Sequence, residues 1–208
     1  MIAHIVCGSP NLWLPMDLTG YIVGVDRGAL SLIEERLCID IAIGDFDSVS
    51  DLESKLIEKK SRVMHNLPVE KDVTDCEAAL QHVIGKGYSQ IYLYGTTGGR
   101  FDHQFSTIGM ALKYAKKGIK IHIIDEKNDI SILEAGIHKI KMDNKKKYIS
   151  FFALESTVNN LTLKGVKYSL DSYDLSVDDS LCVSNEAIHE YVSVSFDSGY
   201  LLVVKSID

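Results

Sequence analysis

The sequence predicts an α/β fold: a mostly parallel sheet with helices on both faces, followed by a smaller antiparallel β-sandwich domain. Three observations point there. Up to residue 125, short apolar runs rich in Ile, Val and Tyr alternate with segments of helical period, the pattern of repeated strand–helix units. Several of these runs lack polar alternation, as strands buried on both faces do. After Asp125-Glu126-Lys127-Asn128-Asp129 the helical period stops. Twelve of the 15 glycines and all three prolines come before residue 125.

Taken in order, strands are expected at 2–7, 21–25, 39–43, 62–66, 90–94 and 119–124, and helices at 27–37, 51–60, 74–86 and 103–117. Ser50 with Glu53, and Thr74 with Glu77, fit capping boxes that start the second and third helices. The second half reads as strands 130–134, 137–141, 148–154, 158–163, 166–170, 181–183, 191–197 and 200–205. Asp143-Asn144-Lys145-Lys146 and Asp197-Ser198-Gly199 read as hairpin turns. The expected domains are therefore 1–125 and 130–208. The lysine cluster over 139–147 reads as a solvated hairpin that also protects an edge strand.

Composition excludes several classes of function. The 208 residues carry 22 Lys and Arg against 29 Asp and Glu, a net charge of −7. An acidic surface argues against nucleic acid and against anionic membranes, both of which need basic patches. A 46% hydrophobic composition supplies a sizeable core, yet no apolar run approaches the roughly 20 residues of a membrane span. Met1-Ile2-Ala3-His4-Ile5-Val6 reads as a strand and not as a leader. Cys7, Cys38, Cys76 and Cys182 are scattered, without a CxxC pair. Reduced thiols in a cytoplasmic protein are the expectation.

In open α/β sheets, ligands bind beyond the carboxyl ends of the strands. Four polar clusters fall there: Asp26-Arg27-Gly28-Ala29, Gly44-Asp45-Phe46-Asp47-Ser48, Glu70-Lys71-Asp72-Val73-Thr74-Asp75, and Gly95-Thr96-Thr97-Gly98-Gly99-Arg100-Phe101-Asp102-His103. Asp45 and Asp47, one residue apart, suit a hard cation such as Mg²⁺, which prefers a few carboxylates plus phosphate oxygens. Thr74 and Asp75 are explained equally well as a helix cap and a dipole partner, whereas Lys71 and Asp72 are not. The glycines at 95, 98 and 99 let backbone N–H groups converge on an anion, and Arg100 can bind phosphate bidentately. The spacing is neither a Walker A loop nor a dinucleotide fingerprint. Asp102 also reads as a helix cap and His103 as a first-turn residue. Together the clusters are the equipment of metal-assisted phosphoryl transfer.

With these motifs, and with Gly165-Val166-Lys167-Tyr168 and Ser184-Asn185-Glu186 in the second half, the chain resembles the thiamine pyrophosphokinase (thiamine diphosphokinase) family over nearly its whole length. The resemblance implies transfer of a pyrophosphoryl group from ATP, as co-substrate, to the hydroxyl of thiamine, releasing AMP. It implies a catalytic ATP- and Mg²⁺-binding domain, then a thiamine-binding β-domain, in a homodimer whose active sites are shared between chains. Carried over by position, Asp45, Asp47 and Asp75 match Mg²⁺-binding aspartates, with Thr74 beside them. Asp26, Arg27 and Gly28 match the nucleotide side. Thr96, Thr97, Gly98, Gly99, Arg100, Asp102 and His103 match the phosphate loop. Lys71 and Asp72 stand near the reacting groups, Lys71 where relatives carry Gln. Tyr168 stands where many members stack a Trp on thiamine, and Ser184 and Asn185 match a pyrimidine-binding motif. On pattern alone, Tyr168 would be strand core and Ser184-Asn185 an ordinary turn.

Two other readings use the same residues. Ile41-Ala42-Ile43-Gly44-Asp45-Phe46-Asp47-Ser48-Val49 resembles the start of a haloacid-dehalogenase-type phosphatase, which would release inorganic phosphate without thiamine. A non-catalytic nucleotide- or thiamine-binding protein would bind ligand and form no AMP.

Overall fold

The structure, a computed structural model, describes residues 1–143 and 145–208. It divides into two compact units, Met1–Met110 with Ile119–Glu126, and Ala111–Gly118 with Lys127–Asp208.

The first unit is built on β1 (Ile2–Val6), β2 (Tyr21–Val25), β3 (Ile41–Gly44), β4 (Met64–Asn66), β5 (Gln90–Tyr94) and β6 (Lys120–Ile124). All are parallel, in the order β6-β5-β1-β2-β3-β4. The helices are α1 (Arg27–Glu34), α2 (Asp51–Lys60), α3 (Asp75–Gly85) and α4 (Phe101–Ala115). From β1 the chain steps outward through β2, β3 and β4, then returns to the other side of β1 for β5. That reversal makes the carboxyl ends of β1 and β5 the switch point of the sheet, where a crevice opens.

Local chemistry explains where the helices start. Ser50 forms the full capping box with Glu53, and the Thr74 hydroxyl accepts from the Glu77 N–H at 3.2 Å. Each such cap contributes about 1 kcal/mol. Gly28 lets α1 start against β1, because a Cβ there would lie 2.1 Å from the Val6 carbonyl oxygen. Val6, Ile22, Leu32, Ile39, Ala42 and Ile57 join one buried cluster between sheet and helices.

The second unit contains β7 (Asn128–Lys141), β8 (Tyr148–Ala153), β9 (Thr157–Lys164), β10 (Leu170–Ser176), β11 (Asn185–Glu186) and β12 (Tyr191–Ser206). Every pairing within it is antiparallel. β12 is its spine. It pairs with β7 from end to end, with β9 through Ser193–Ser198 and with β8 through Leu201–Ser206. Phe151, Leu161, Leu163, Val192, Val194 and Val203 centre its core.

Here the structure departs from the sequence-based expectations. The segments 130–134 and 137–141 are one strand, β7, running through Gly136. The segments 191–197 and 200–205 are likewise one strand, β12. Asp197-Ser198-Gly199 is not a hairpin but a bulge, where the register jumps from Phe196↔Gly136 to Tyr200↔Glu134. A bulge lets a long strand bend without ending. The strand expected at 166–170 lies at 170–176, and 181–183 is a turn ahead of the short β11. For the turn at 143–146, Asn144 lies outside the described residues. The strands on either side of it, β7 and β8, both pair with β12, so the segment connects two neighbours of one strand.

Candidate active site

A cleft of about 420 Å³ opens at the switch point of the first unit, within the size range of small-molecule sites. Two loops form it. Cys7, Gly8, Ser9 and Pro10 follow β1, and Gly95, Thr96, Thr97, Gly99 and Arg100 follow β5. They are tied together: the Ser9 hydroxyl donates to the Thr97 carbonyl at 2.6 Å and the Asn11 amide to the Gly98 carbonyl at 3.4 Å. Asp26, Thr74, Asp75, Cys76, His103 and Thr107 also line it. The loop after β1 escaped the sequence reading, although the strand-end rule that selected the other four loops covers it equally.

Three carboxylates meet beside this cleft. Asp26, Asp45 and Asp75 each offer an oxygen, and the three oxygens lie within 4.8 Å of one another. They come from three separate connections: Asp26 between β2 and α1, Asp45 after β3, and Asp75 at the start of α3. Asp47, expected with Asp45 and Asp75, is exposed and outside that group. Its N–H donates to Asp45 Oδ1 at 3.2 Å. Asp26, expected on the nucleotide side, stands inside the group. A set of hard carboxylate oxygens at this spacing fits Mg²⁺ by both donor type and reach.

The backbone is bent to make this meeting. Asp26 has φ 46° and Phe46 φ 55°, a region that costs non-glycine residues energy and clusters at functional sites. Phe46 is buried, and its N–H donates to Asp26 Oδ1 at 3.2 Å, so packing and a charged acceptor hold both residues there. Gly44 is the matching concession: a Cβ at that position would lie 1.8 Å from Asp26 Oδ1. Burial, then the neighbouring Asp75, pushes the Asp26 carboxyl up to about 6.

Lys71 balances part of this charge. Its Nζ donates to Asp45 Oδ2 at 3.0 Å and to the Pro68 carbonyl at 3.1 Å. It also forms an ion pair with Asp75, 3.0 Å from Oδ1. Burial pulls the Lys71 ammonium down, but Asp45 and Asp75 outweigh it and leave it above its ordinary value. The hydrogen bond from Lys71 in turn holds Asp45 below the usual carboxylate range. Asp72, beside Lys71, is exposed.

The remaining loop residues divide by role. Thr96 Oγ1 is buried in the cleft without a hydrogen-bond partner among the described residues, a group that an incoming ligand can satisfy. Thr97 Oγ1 donates to Asp125 at 2.7 Å. Arg100 grips Asp102 with two donors, Nε at 3.1 Å from Oδ1 and Nη2 on Oδ2; both side chains are well exposed, so the pair contributes little to stability. Asp102 also accepts from the His103 N–H at 2.9 Å. Arg27 is exposed and reaches the Ser48 carbonyl at 3.5 Å. Gly28 is buried under β1, and Gly98 and Gly99 are exposed in the loop.

In the second unit, Tyr168 is not strand core: it is 62% exposed, beyond the isolated bridge Val166↔Ala187. Ser184 is exposed at φ 57°, with its N–H donating to the Ser150 hydroxyl at 2.9 Å. Asn185 is buried, and its amide bonds the backbone of Tyr168 through both its oxygen and its nitrogen. All four cysteines are free. Among the described residues, no helix is long and apolar enough to cross a membrane.

Comparison with known proteins agrees along the chain. Residues 14–123 match the family model described as thiamin pyrophosphokinase, catalytic domain. Residues 137–201 match that of the thiamin pyrophosphokinase vitamin B1 binding domain. The chain is 38% identical to thiamine pyrophosphokinase of Bacillus subtilis (strain 168), over 99% of this chain and 98% of that protein. A crystal structure of thiamine pyrophosphokinase from Bacillus subtilis superposes with a TM-score of 0.93 at 36% identity, covering all of both chains. That of a thiamin pyrophosphokinase family protein from Enterococcus faecalis gives 0.93 at 32%, again over both whole chains. A mostly parallel sheet with helices, a second unit of antiparallel strands and two consecutive domain matches lead to one conclusion: the chain belongs to the thiamine pyrophosphokinase family and is an enzyme of that class.

Proposed function

We propose that this enzyme transfers the pyrophosphoryl group of ATP to the hydroxyl of thiamine, giving thiamine diphosphate and AMP. The observation that carries this is the meeting of Asp26, Asp45 and Asp75 within 4.8 Å at the rim of a cleft floored by a glycine-rich loop. Acidic oxygens beside an anion-cradling loop suit a metal-bound phosphate chain such as that of ATP.

Asp45 and Asp75 would hold Mg²⁺, with Asp26 beside them and with Asp47 on the same loop as Asp45. When bound, Mg²⁺ supplies charge neutralisation on the triphosphate and polarises the phosphorus under attack. The 95–99 loop, with the Thr96 hydroxyl, binds phosphate oxygens, and Arg100 and Lys71 stabilise their charge in the transition state. The thiamine hydroxyl oxygen forms the new bond to the β-phosphorus while the bond from that phosphorus to the α–β bridging oxygen breaks, and AMP leaves with the electron pair. The proton of the alcohol passes to a carboxylate, Asp72 or Asp102, both of which are exposed. Tyr168 offers an exposed ring to the cationic thiazolium or the pyrimidine, and Ser184 a hydroxyl. In line with the family resemblance, we extend the proposal to a cytoplasmic homodimer with active sites shared between chains; light scattering tests the dimer by its mass.

Incubation with ATP, Mg²⁺ and thiamine, followed by chromatography, tests the reaction. Equal amounts of AMP and thiamine diphosphate are expected. Release of ADP or of inorganic phosphate in their place would overturn it.

A further inference from the structure

We infer that Asn185 is a positioning residue, which fixes the backbone of Tyr168 and makes no contact of its own with the substrate. The inference rests on the thiamine reading above and assigns the two residues of the Ser184-Asn185 pair to different tasks.

Tyr168 presents a ring that is 62% exposed. Core packing therefore does not fix it; the neighbouring Lys167 ammonium lies 5.6 Å from the ring centroid, and the remaining hold is on the backbone that carries the ring. Residues 165–167 run antiparallel to 186–188: the Ile188 N–H donates to the Gly165 carbonyl at 3.0 Å and the Lys167 N–H to the Glu186 carbonyl at 2.8 Å. At Tyr168 the side chain of Asn185 continues this ladder. Asn185 Oδ1 accepts from the Tyr168 N–H at 3.0 Å, and Nδ2 donates to the Tyr168 carbonyl at 2.8 Å. A carboxamide carries the same donor and acceptor as a peptide unit, so it can stand in for a strand neighbour.

These bonds occupy the amide oxygen fully and one of the two N–H groups. The oxygen has two lone pairs, and the second accepts from the Glu186 N–H at 2.9 Å. Only one N–H of the amide is left, on a residue that is 3% exposed. Ser184 is the opposite case. It is exposed and held in the left-handed region at φ 57°, with its backbone pinned by Ser150. Strain of that kind persists where a side chain must be aimed, so the ligand contact of the pair falls to the Ser184 hydroxyl.

The test is a double-mutant cycle on the full chain, read as the dissociation constant for thiamine by calorimetry. Asn185→Ala and Tyr168→Ala are each expected to weaken thiamine about tenfold or more, the size of a lost aromatic stack, with ATP affinity unchanged. The double variant is expected to bind thiamine no more weakly than Tyr168→Ala alone, because the amide acts only through the ring. Losses that multiply in the double variant would mean that Asn185 touches the substrate, and would overturn the inference. Hydrogen exchange gives a readout without substrate: the Tyr168 amide should be protected in the wild type and exchange at least about tenfold faster in Asn185→Ala. Unchanged protection would also overturn it. If the wild type binds no thiamine but Asn185→Ala still deprotects Tyr168, the substrate assignment fails and the clamp stands. Should Asn185→Ala not fold, Asn185→Leu, of similar size but with neither the donor nor the acceptor of the amide, takes its place in both measurements.

Discussion

The acidic cleft of the first unit and the Tyr168 face of the second are held in place by opposite means. In the cleft, Asp26, Asp45 and Asp75 share a space that repels them, Asp26 and Phe46 sit in the left-handed region, and one ammonium offsets part of the charge. On the Tyr168 face, an uncharged amide extends a backbone ladder. The first arrangement is kept against its own preference by surrounding packing; the second stabilises itself. Function and stability should therefore separate in the cleft and travel together beside Tyr168.

Asp75→Asn probes the cleft most severely. Turnover should fall by about a hundred- to a thousandfold, as when a charge-stabilising group is lost, while the melting temperature stays within a few degrees of wild type because Thr74 still caps α3. A melting temperature that collapses along with activity would erase the contrast. Next in size, Tyr168→Ala should raise the KM for thiamine about tenfold and leave the KM for ATP alone. A change confined to ATP would move Tyr168 to the other substrate.

The smallest effect is a pH dependence at Asp26. Its carboxyl stands at about 6 in the folded protein against 3.8 ordinarily, chiefly through burial. The folded state thus holds this proton more tightly than the unfolded chain does. The ionised form is the destabilising one, so stability falls as pH rises from 3.8 through about 6. Asp26→Asn keeps an acceptor for the Phe46 N–H and removes that charge. Unfolding measurements should show it more stable than wild type by about 1 kcal/mol above pH 6, a figure reduced for its partial exposure, with no gain at pH 3. An equal gain at both pH values would place the strain in the backbone and not in the charge.

The parallel half was legible because its signals are local. Ser50, Thr74 and the apolar runs speak for themselves, and strand ends locate the cleft. The β half was less so. Gly136 and Gly199 read as breaks, yet β7 and β12 run through both, because pairing along a long partner outweighs a single weak residue. In the candidate site, Asp45 and Asp75 were legible from motif and strand end. The place of Asp26 among them was not, since it depends on Gly44 admitting a side chain from the neighbouring strand. The bonding of Asn185 to Tyr168 was hidden too, because two residues seventeen positions apart carry no common period.

β12 also orders events in time. It pairs with β7, β8 and β9, yet it follows all three in the chain. A ribosome delivers residues at about 5–20 per second, so those strands wait with open edges until Tyr191–Ser206 arrives. The parallel unit, whose last strand ends at Ile124, can close earlier. Nascent chains stalled between these two points should carry a formed parallel unit and a remainder whose β7, β8 and β9 still lack their common partner.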